Sequence, residues 1–85
     1  MIVGVALKLP DGTVQSLPRP HRHNDLIYEC KQAGMSRIFV VRGEQGFVDE
    51  QGRFLGRREA GVHAVSCGQI ERLAWPPELF SEDLW

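Results

Sequence analysis

The chain has 85 residues, a formal net charge of −1 and two cysteines, which together allow one small domain with a single modest core. The near-neutral charge excludes a general nucleic-acid coat, which needs a strongly positive surface. Two cysteines inside helical apolar patterns exclude a disulfide framework. No secretory signal and no apolar run of membrane-spanning length are found, so we expect a cytoplasmic protein that does not contact the membrane.

The first half of the chain predicts a hairpin, a helix and a strand. Ile2–Leu9 is rich in strand-forming residues, and a Pro-Asp-Gly turn returns the chain through Thr13–Leu17. Asn24 is a good N-cap for a helix that Gly34 ends as its C′ residue. The β-branched and aromatic run Ile38–Val41 predicts a mostly buried strand.

The second half predicts a tight hairpin, a helix and an apolar tail. Gly46–Asp49 pairs with Arg53–Leu55, and a helix spans Arg57–Cys67. The tail from Trp75 onward is so apolar that it should dock on the same chain or on another one. We therefore expect an α+β fold, a small antiparallel β-sheet with two α-helices, as a single domain over residues 1–85.

Basic residues stand where both predicted helices begin. Arg57 and Arg58 open the second helix, and Arg22 and His23 precede the first. A helix N-terminus disfavours cations and attracts anions, so a bound phosphate would explain the placement. Because both helix starts carry this feature, we expect them to converge on one ligand, either within a chain or across an interface. The alternatives are a solvated basic link before the first helix and an ion pair between Arg58 and a neighbour such as Glu59.

Aromatic residues accompany the arginines in the second hairpin. Arg53 lies beside Phe54, for which a core position is expected, and Phe47 follows a permissive glycine. The ring of Phe47 is either core or a stacking platform for a base. No paired Cys motif, nucleophile elbow or paired-carboxylate spacing is present, so no metal, cofactor or catalytic group is expected.

The motifs PRPHRHNDLI, GEQGFV, GRFLGRREA, GQI and LFSEDLW, in this order, resemble those of the Thoeris anti-defence sponges encoded by phages. That resemblance implies a non-enzymatic homo-oligomer, built from dimers and trimers up to a hexamer, in the host cytoplasm. It implies binding of a cyclic ADP-ribose isomer, with cyclic di- or trinucleotides as further ligands, in sites between chains. By motif, the family's ligand contacts fall on Arg22, Phe47 and Arg57, with the neighbours His23, Arg53 and Arg58.

Two other functional classes remain open. Residues 1–43 carry a charge of +3 and residues 44–85 a charge of −4. This asymmetry, with the apolar and acidic tail Leu79–Trp85, is compatible with a protein-interaction module that blocks a host or virion protein. The third class is a hydrolase of nucleotide phosphates, for which the sequence offers no catalytic group.

Overall fold

The computed structural model describes residues 1–85 and contains four strands, three α-helices and one 3-10 turn. The strands pair in the order β2-β1-β3-β4, and every pairing is antiparallel. The α+β class with a small antiparallel sheet is therefore confirmed. The elements are β1 (Ile2–Lys8), β2 (Val14–Pro18), α1 (His23–Gln32), α2 (Arg37–Val41), β3 (Glu44–Asp49), β4 (Phe54–Gly56), α3 (Arg57–Ser66) and the 3-10 turn (Ser81–Asp83).

Both predicted hairpins form because their turns supply the required side chains and backbone angles. In the first, the Asp11 carboxylate accepts from the amide and hydroxyl of Thr13, and Gly12 has a φ of 91°. In the second, the Asp49 carboxylate accepts from the amides of Gln51 and Arg53 and from Nε of Arg53. These local bonds fix the ends of β1 and β3.

The strand expected at Ile38–Val41 is wrong, because these residues form the short helix α2. The Ser36 side chain caps this helix by accepting from the amide of Phe39 at 3.2 Å. A strand here would have no place beside β1, since β2 and β3 already occupy both of its sides. The chain thus has three helices where two were expected.

Helix α1 begins one residue before the expected N-cap. Arg22 holds the N-cap position, and its amide donates to the carboxylate of Asp25 at 2.8 Å. Asn24, the expected cap, lies inside the first turn. The other end follows the prediction, because Gly34 has a φ of 93° just after the helix.

The helices α1 and α3 cover the face of the sheet that carries Val5 and Phe47. Helix α1 packs on β1 and β2, whereas α3 packs mainly on β3 and β4. The expected inward position of the cysteines holds for Cys30, which is buried, and is wrong for Cys67, which is exposed. The core comprises Ile2, Val5, Leu7, Leu9, Leu26, Cys30, Val40, Phe47, Ala60, Ala64 and Leu79.

The tail docks on its own chain. Leu79 is fully buried in the core, and its amide donates to the carbonyl of Arg57 at 3.0 Å. Farther along, the indole Nε1 of Trp85 donates to the carbonyl of His21 at 3.0 Å. The last residues therefore lie across the starts of both α1 and α3. No helix of the chain is both long and apolar enough to cross a membrane.

Candidate functional site

The starts of α1 and α3 and the folded-back tail enclose a cleft of about 180 Å³, which we call the arginine cleft. It brings together three of the predicted site residues, Arg22, His23 and Arg57. Five further residues complete its lining: Asn24, Gln45, Phe80, Ser81 and Glu82. Two basic helix starts that are distant in sequence therefore converge on one site, as the pattern of basic residues had suggested.

Arg57 is the first residue of α3, and its guanidinium is held by the tail and by β3. Nη1 donates to the carbonyl of Leu79 at 2.8 Å, and Nη2 donates to Oε1 of Gln45 at 2.6 Å. The guanidinium lies 4.7 Å from the ring centroid of Phe80. Burial lowers the pKa of Arg57, yet a guanidinium remains charged at any physiological pH.

Arg22 is held by other residues of the tail. Nη1 donates to the hydroxyl of Ser81 at 3.0 Å, and Nη2 donates to the carbonyl of Trp85. The carboxylate of Glu82 lies 3.4 Å from Nη1 and forms an ion pair with it. The side chain of Arg22 keeps 42% of its surface exposed, so part of its guanidinium faces solvent.

His23 is buried between the helix start and the sheet. Its Nε2 lies 2.7 Å from the carbonyl of Gly46, and its ring meets that of Phe47 edge-on at 5.1 Å. Because a carbonyl can only accept, Nε2 carries the proton in this bond and Nδ1 keeps its lone pair. Burial lowers the pKa of His23, and the nearby charge of Arg57 lowers it further. The imidazole is thus a neutral member of the cleft lining.

Of the two alternatives for Phe47, the structure has the core position, because this residue is fully buried beneath the cleft. Its position follows from strand alternation, which places it with Val5 on the helix-covered face. Phe54, expected in the core, is only half-buried and packs against Gly46 on the other face. The aromatic ring that does line the cleft is that of Phe80.

The two remaining predicted residues lie outside the arginine cleft. Arg53 is in the turn between β3 and β4, where its Nε is 2.8 Å from the Asp49 carboxylate. Arg58 lines a neighbouring depression of about 290 Å³ that shares Gln45 and Arg57 with the cleft. That depression also contains the carboxylates of Glu44, Glu59 and Glu78.

The arginine cleft and the neighbouring depression differ in the net charge of their lining residues. Counting His23 as neutral, Arg22 and Arg57 outweigh Glu82 in the arginine cleft. In the neighbouring depression, three carboxylates outweigh Arg57 and Arg58. An anion is therefore attracted by the first and repelled by the second.

Five of the cleft residues are not among those predicted from the sequence, although the strand position of Gln45 could have indicated it. Gln45 stands two positions before Phe47 on β3, so both side chains lie on the same face of the sheet. Asn24 was noted only as a cap. The apolar tail predicts docking on this chain or on another one, but nothing local in it shows that it folds back over the helix starts. No cluster of three or more His, Cys, Asp or Glu side chains in the chain could hold a metal ion.

Comparison with known proteins gives one match over the entire chain. A family model described as "Phage T4 y16D protein" matches residues 1–85. No curated protein and no solved structure matches the chain.

Proposed function

The chain belongs to the phage T4 y16D protein family and is thus a phage protein, and we propose that it binds and sequesters a cyclic nucleotide immune signal of its host without cleaving it. The ligands we expect are cyclic ADP-ribose isomers, with cyclic di- and trinucleotides as further candidates, as in the Thoeris anti-defence sponges that the sequence motifs resemble. The protein would capture this signal in the host cytoplasm and hold it without converting it.

One observation carries the proposal: Arg22 and Arg57 converge on a single cleft from two helix starts. A guanidinium fork matches the oxygens of a phosphate with two parallel hydrogen bonds. Each arginine uses two nitrogen atoms for bonds within the chain, so each retains N–H groups for a ligand. The partly buried position of Arg57 strengthens its attraction to an anion, because water screens it less.

The other lining residues suit the nucleoside part of such a ligand. The half-buried ring of Phe80 takes the stacking role that was first expected of Phe47. The amide groups of Asn24 and Gln45 are able to donate to the edge of a base or to a ribose hydroxyl. Nδ1 of His23, which has no partner within the chain, is a further acceptor.

The lining also favours binding over turnover. Ser81 supplies the only hydroxyl in the cleft, and its oxygen accepts a hydrogen bond from Arg22. The cleft has no cysteine or lysine nucleophile, and Glu82 is paired with Arg22.

Size suggests that a single chain holds only part of the ligand. Small-molecule sites usually enclose roughly 300–1,000 Å³, whereas the arginine cleft measures about 180 Å³. A phosphate and its ribose fit this volume, and the remaining part of the ligand would lie against a second copy of the chain. We therefore include a homo-oligomer in the proposal.

A thermal-shift series with cyclic ADP-ribose isomers and cyclic dinucleotides tests the proposal. Ligand at about 100 times its Kd adds about 2.7 kcal/mol of stability, which raises the Tm of a domain of this size by roughly 10–20 °C. Arg22→Gln should abolish the shift, whereas Arg53→Gln, a matched change in the β3–β4 turn, should preserve it. Equal shifts in both variants would place the ligand elsewhere.

The alternative, a module that blocks a host or virion protein, loses one of the two observations on which it rested and keeps the charge asymmetry. Its apolar and acidic tail, Leu79–Trp85, is docked within the chain and includes the fully buried Leu79. Such a tail is not free to bind another protein without first leaving the core.

A further inference from the structure

Two surface patches hold six of the eight large hydrophobic residues that the chain leaves exposed. The first, which we call the basic patch, lies on α1 and α2. It consists of the apolar residues Tyr28, Ile38 and Val41 and the cations Lys31, Arg37 and Arg42. Ile38 and Val41 are 72% and 68% exposed, although they are two of the five residues of α2. This short helix therefore turns two of its four apolar residues to solvent.

The second, which we call the acidic patch, lies on α3 and the segment after it. It consists of the apolar residues Val62, Val65 and Trp75 and the acids Glu59, Glu71 and Glu78. Val62 and Val65 line an apolar groove of about 340 Å³ whose other wall is formed by Leu73 and Pro77. Trp75, which is 72% exposed, stands between these two wall residues in the sequence.

Charges in both patches lack partners within the chain. None of the three cations of the basic patch and none of the three acids of the acidic patch belongs to an ion pair. The signs persist when immediate neighbours are counted. Glu29 is the acid beside Tyr28, and Arg58 and Arg72 are the cations beside Glu59 and Glu71, so the basic patch stays net positive and the acidic patch net negative. Two copies of the same patch would repel one another, whereas the two different patches attract.

The patches lie at opposite ends of the helical layer. Helix α1 covers the half of the sheet that ends at β2, and α3 covers the half that ends at β4. A copy bound at one patch therefore leaves the other patch open. Exposed apolar side chains flanked by charges, as on α2 and α3, are typical of protein-interaction sites.

We infer that the basic patch of one copy binds the acidic patch of the next copy in a head-to-tail interface. Each patch presents three exposed apolar residues and three charges, and the charges have opposite signs. A head-to-tail contact repeats until it closes into a ring, or it continues into a filament. The inference goes beyond ligand capture, because no residue of the arginine cleft belongs to either patch.

The test measures molar mass by light scattering after gel filtration over a range of concentrations. The unmodified chain should form species larger than a dimer. Ile38→Glu should disable the basic patch and Val62→Glu the acidic patch, so each variant alone should be a monomer. Mixed together, they should form a one-to-one dimer of twice the monomer mass, because each contributes one intact patch. Val14→Glu, a change at an exposed apolar residue outside both patches, should leave assembly intact.

Four outcomes would overturn the inference. These are a monomeric unmodified chain, a two-fold dimer that adds no third copy, a mixture of the two variants that stays monomeric, and a Val14→Glu variant that fails to assemble. Circular dichroism of each variant would show that it is folded, since all three substitutions lie on exposed side chains. Thermal shifts with the cyclic ligands, measured on the same variants, report separately on ligand capture, because the second copy proposed at the arginine cleft meets the first through the ligand and through no residue of either patch.

Discussion

Arg57 and Leu79 are joined by two hydrogen bonds that run in opposite directions. The amide of Leu79 donates to the carbonyl of Arg57 at 3.0 Å, and the guanidinium of Arg57 donates to the carbonyl of Leu79 at 2.8 Å. One residue thus satisfies both main-chain polar groups of the most deeply buried tail position. The contact ties the tail to the first turn of α3 and, through it, to one wall of the arginine cleft.

Replacing Arg57 should therefore lower stability as well as any binding. Arg57→Lys keeps the charge and loses the fork that bonds Leu79 and Gln45, and hydrogen bonds to charged groups are worth roughly 1.5–3 kcal/mol each. We expect the free energy of unfolding in urea to fall by about 2 kcal/mol. Arg58→Lys is the matched control, because the exposed side chain of Arg58 makes no hydrogen bond or ion pair within the chain. Equal losses in both variants would contradict the role given to this contact.

This double role decides how ligand binding is best tested. A variant of Arg57 that binds no ligand would be ambiguous, because it would also have a looser tail. Arg22 is the better choice, since none of its tail contacts involves the buried Leu79. The change in Tm that Arg22→Gln causes in the absence of ligand measures separately how much Arg22 contributes to stability.

Lowering the pH should destabilise the chain through His23. Burial lowers the pKa of this imidazole in the folded state, so below its ordinary value of about 6.5 the unfolded chain binds more protons than the folded one. Stability then falls as the pH falls through that value. His23→Gln retains a donor for the carbonyl of Gly46 and removes the titration, so its Tm should change much less between pH 7.5 and 5.5.

Melting curves of the unmodified chain and of His23→Gln over the same pH range give the comparison. A pH profile that is the same for the unmodified chain and for His23→Gln would contradict the buried, neutral state of His23.

Gly46 should not tolerate a side chain. A Cβ at this position would overlap the carbonyl oxygen of Leu55 and come within 2.7 Å of the ring of Phe54. Neither the strand backbone nor a packed ring moves easily, so Gly46→Ala should cost about 1–3 kcal/mol in a urea melt. Its carbonyl also accepts the bond from His23, so a shift of this strand would disturb the cleft.

Gly56→Ala provides the matched comparison on the neighbouring strand. A Cβ there would meet only the carboxylate end of Glu44, at 2.8 Å. That flexible side chain is able to move aside, and the change should cost less than about 0.5 kcal/mol. A larger loss in Gly56→Ala than in Gly46→Ala would contradict the packing described for β3 and β4.

The parts of the fold that were predictable from the sequence are those governed by local chemistry. The glycines and Asp side chains of the two turns specified both hairpins, and Gly34 specified the end of α1. The β-branched run at Ile38–Val41 predicted a strand wrongly, because strand propensity depends on context and Ser36 caps a helix start at this point. A pattern read over a few residues does not show which strand edges are already paired.

The site was predictable only in part, for the same reason. The basic helix starts marked Arg22, His23 and Arg57 correctly as neighbours in space. Phe80, Ser81 and Glu82 enter the cleft because Leu79 folds back into a core formed by distant elements. That contact depends on tertiary packing, which no local motif in the tail records.

The most direct test of the proposed function is recovery of the ligand after capture. The protein is incubated with a cyclic ADP-ribose isomer, freed of unbound ligand by gel filtration and denatured by heat, and the released molecule is identified by mass spectrometry. We predict intact ligand, in amounts stoichiometric with binding sites, from the unmodified chain and from Arg53→Gln, and none from Arg22→Gln. Release of a cleaved product, or retention of no ligand from the whole panel of cyclic nucleotides, would contradict sequestration.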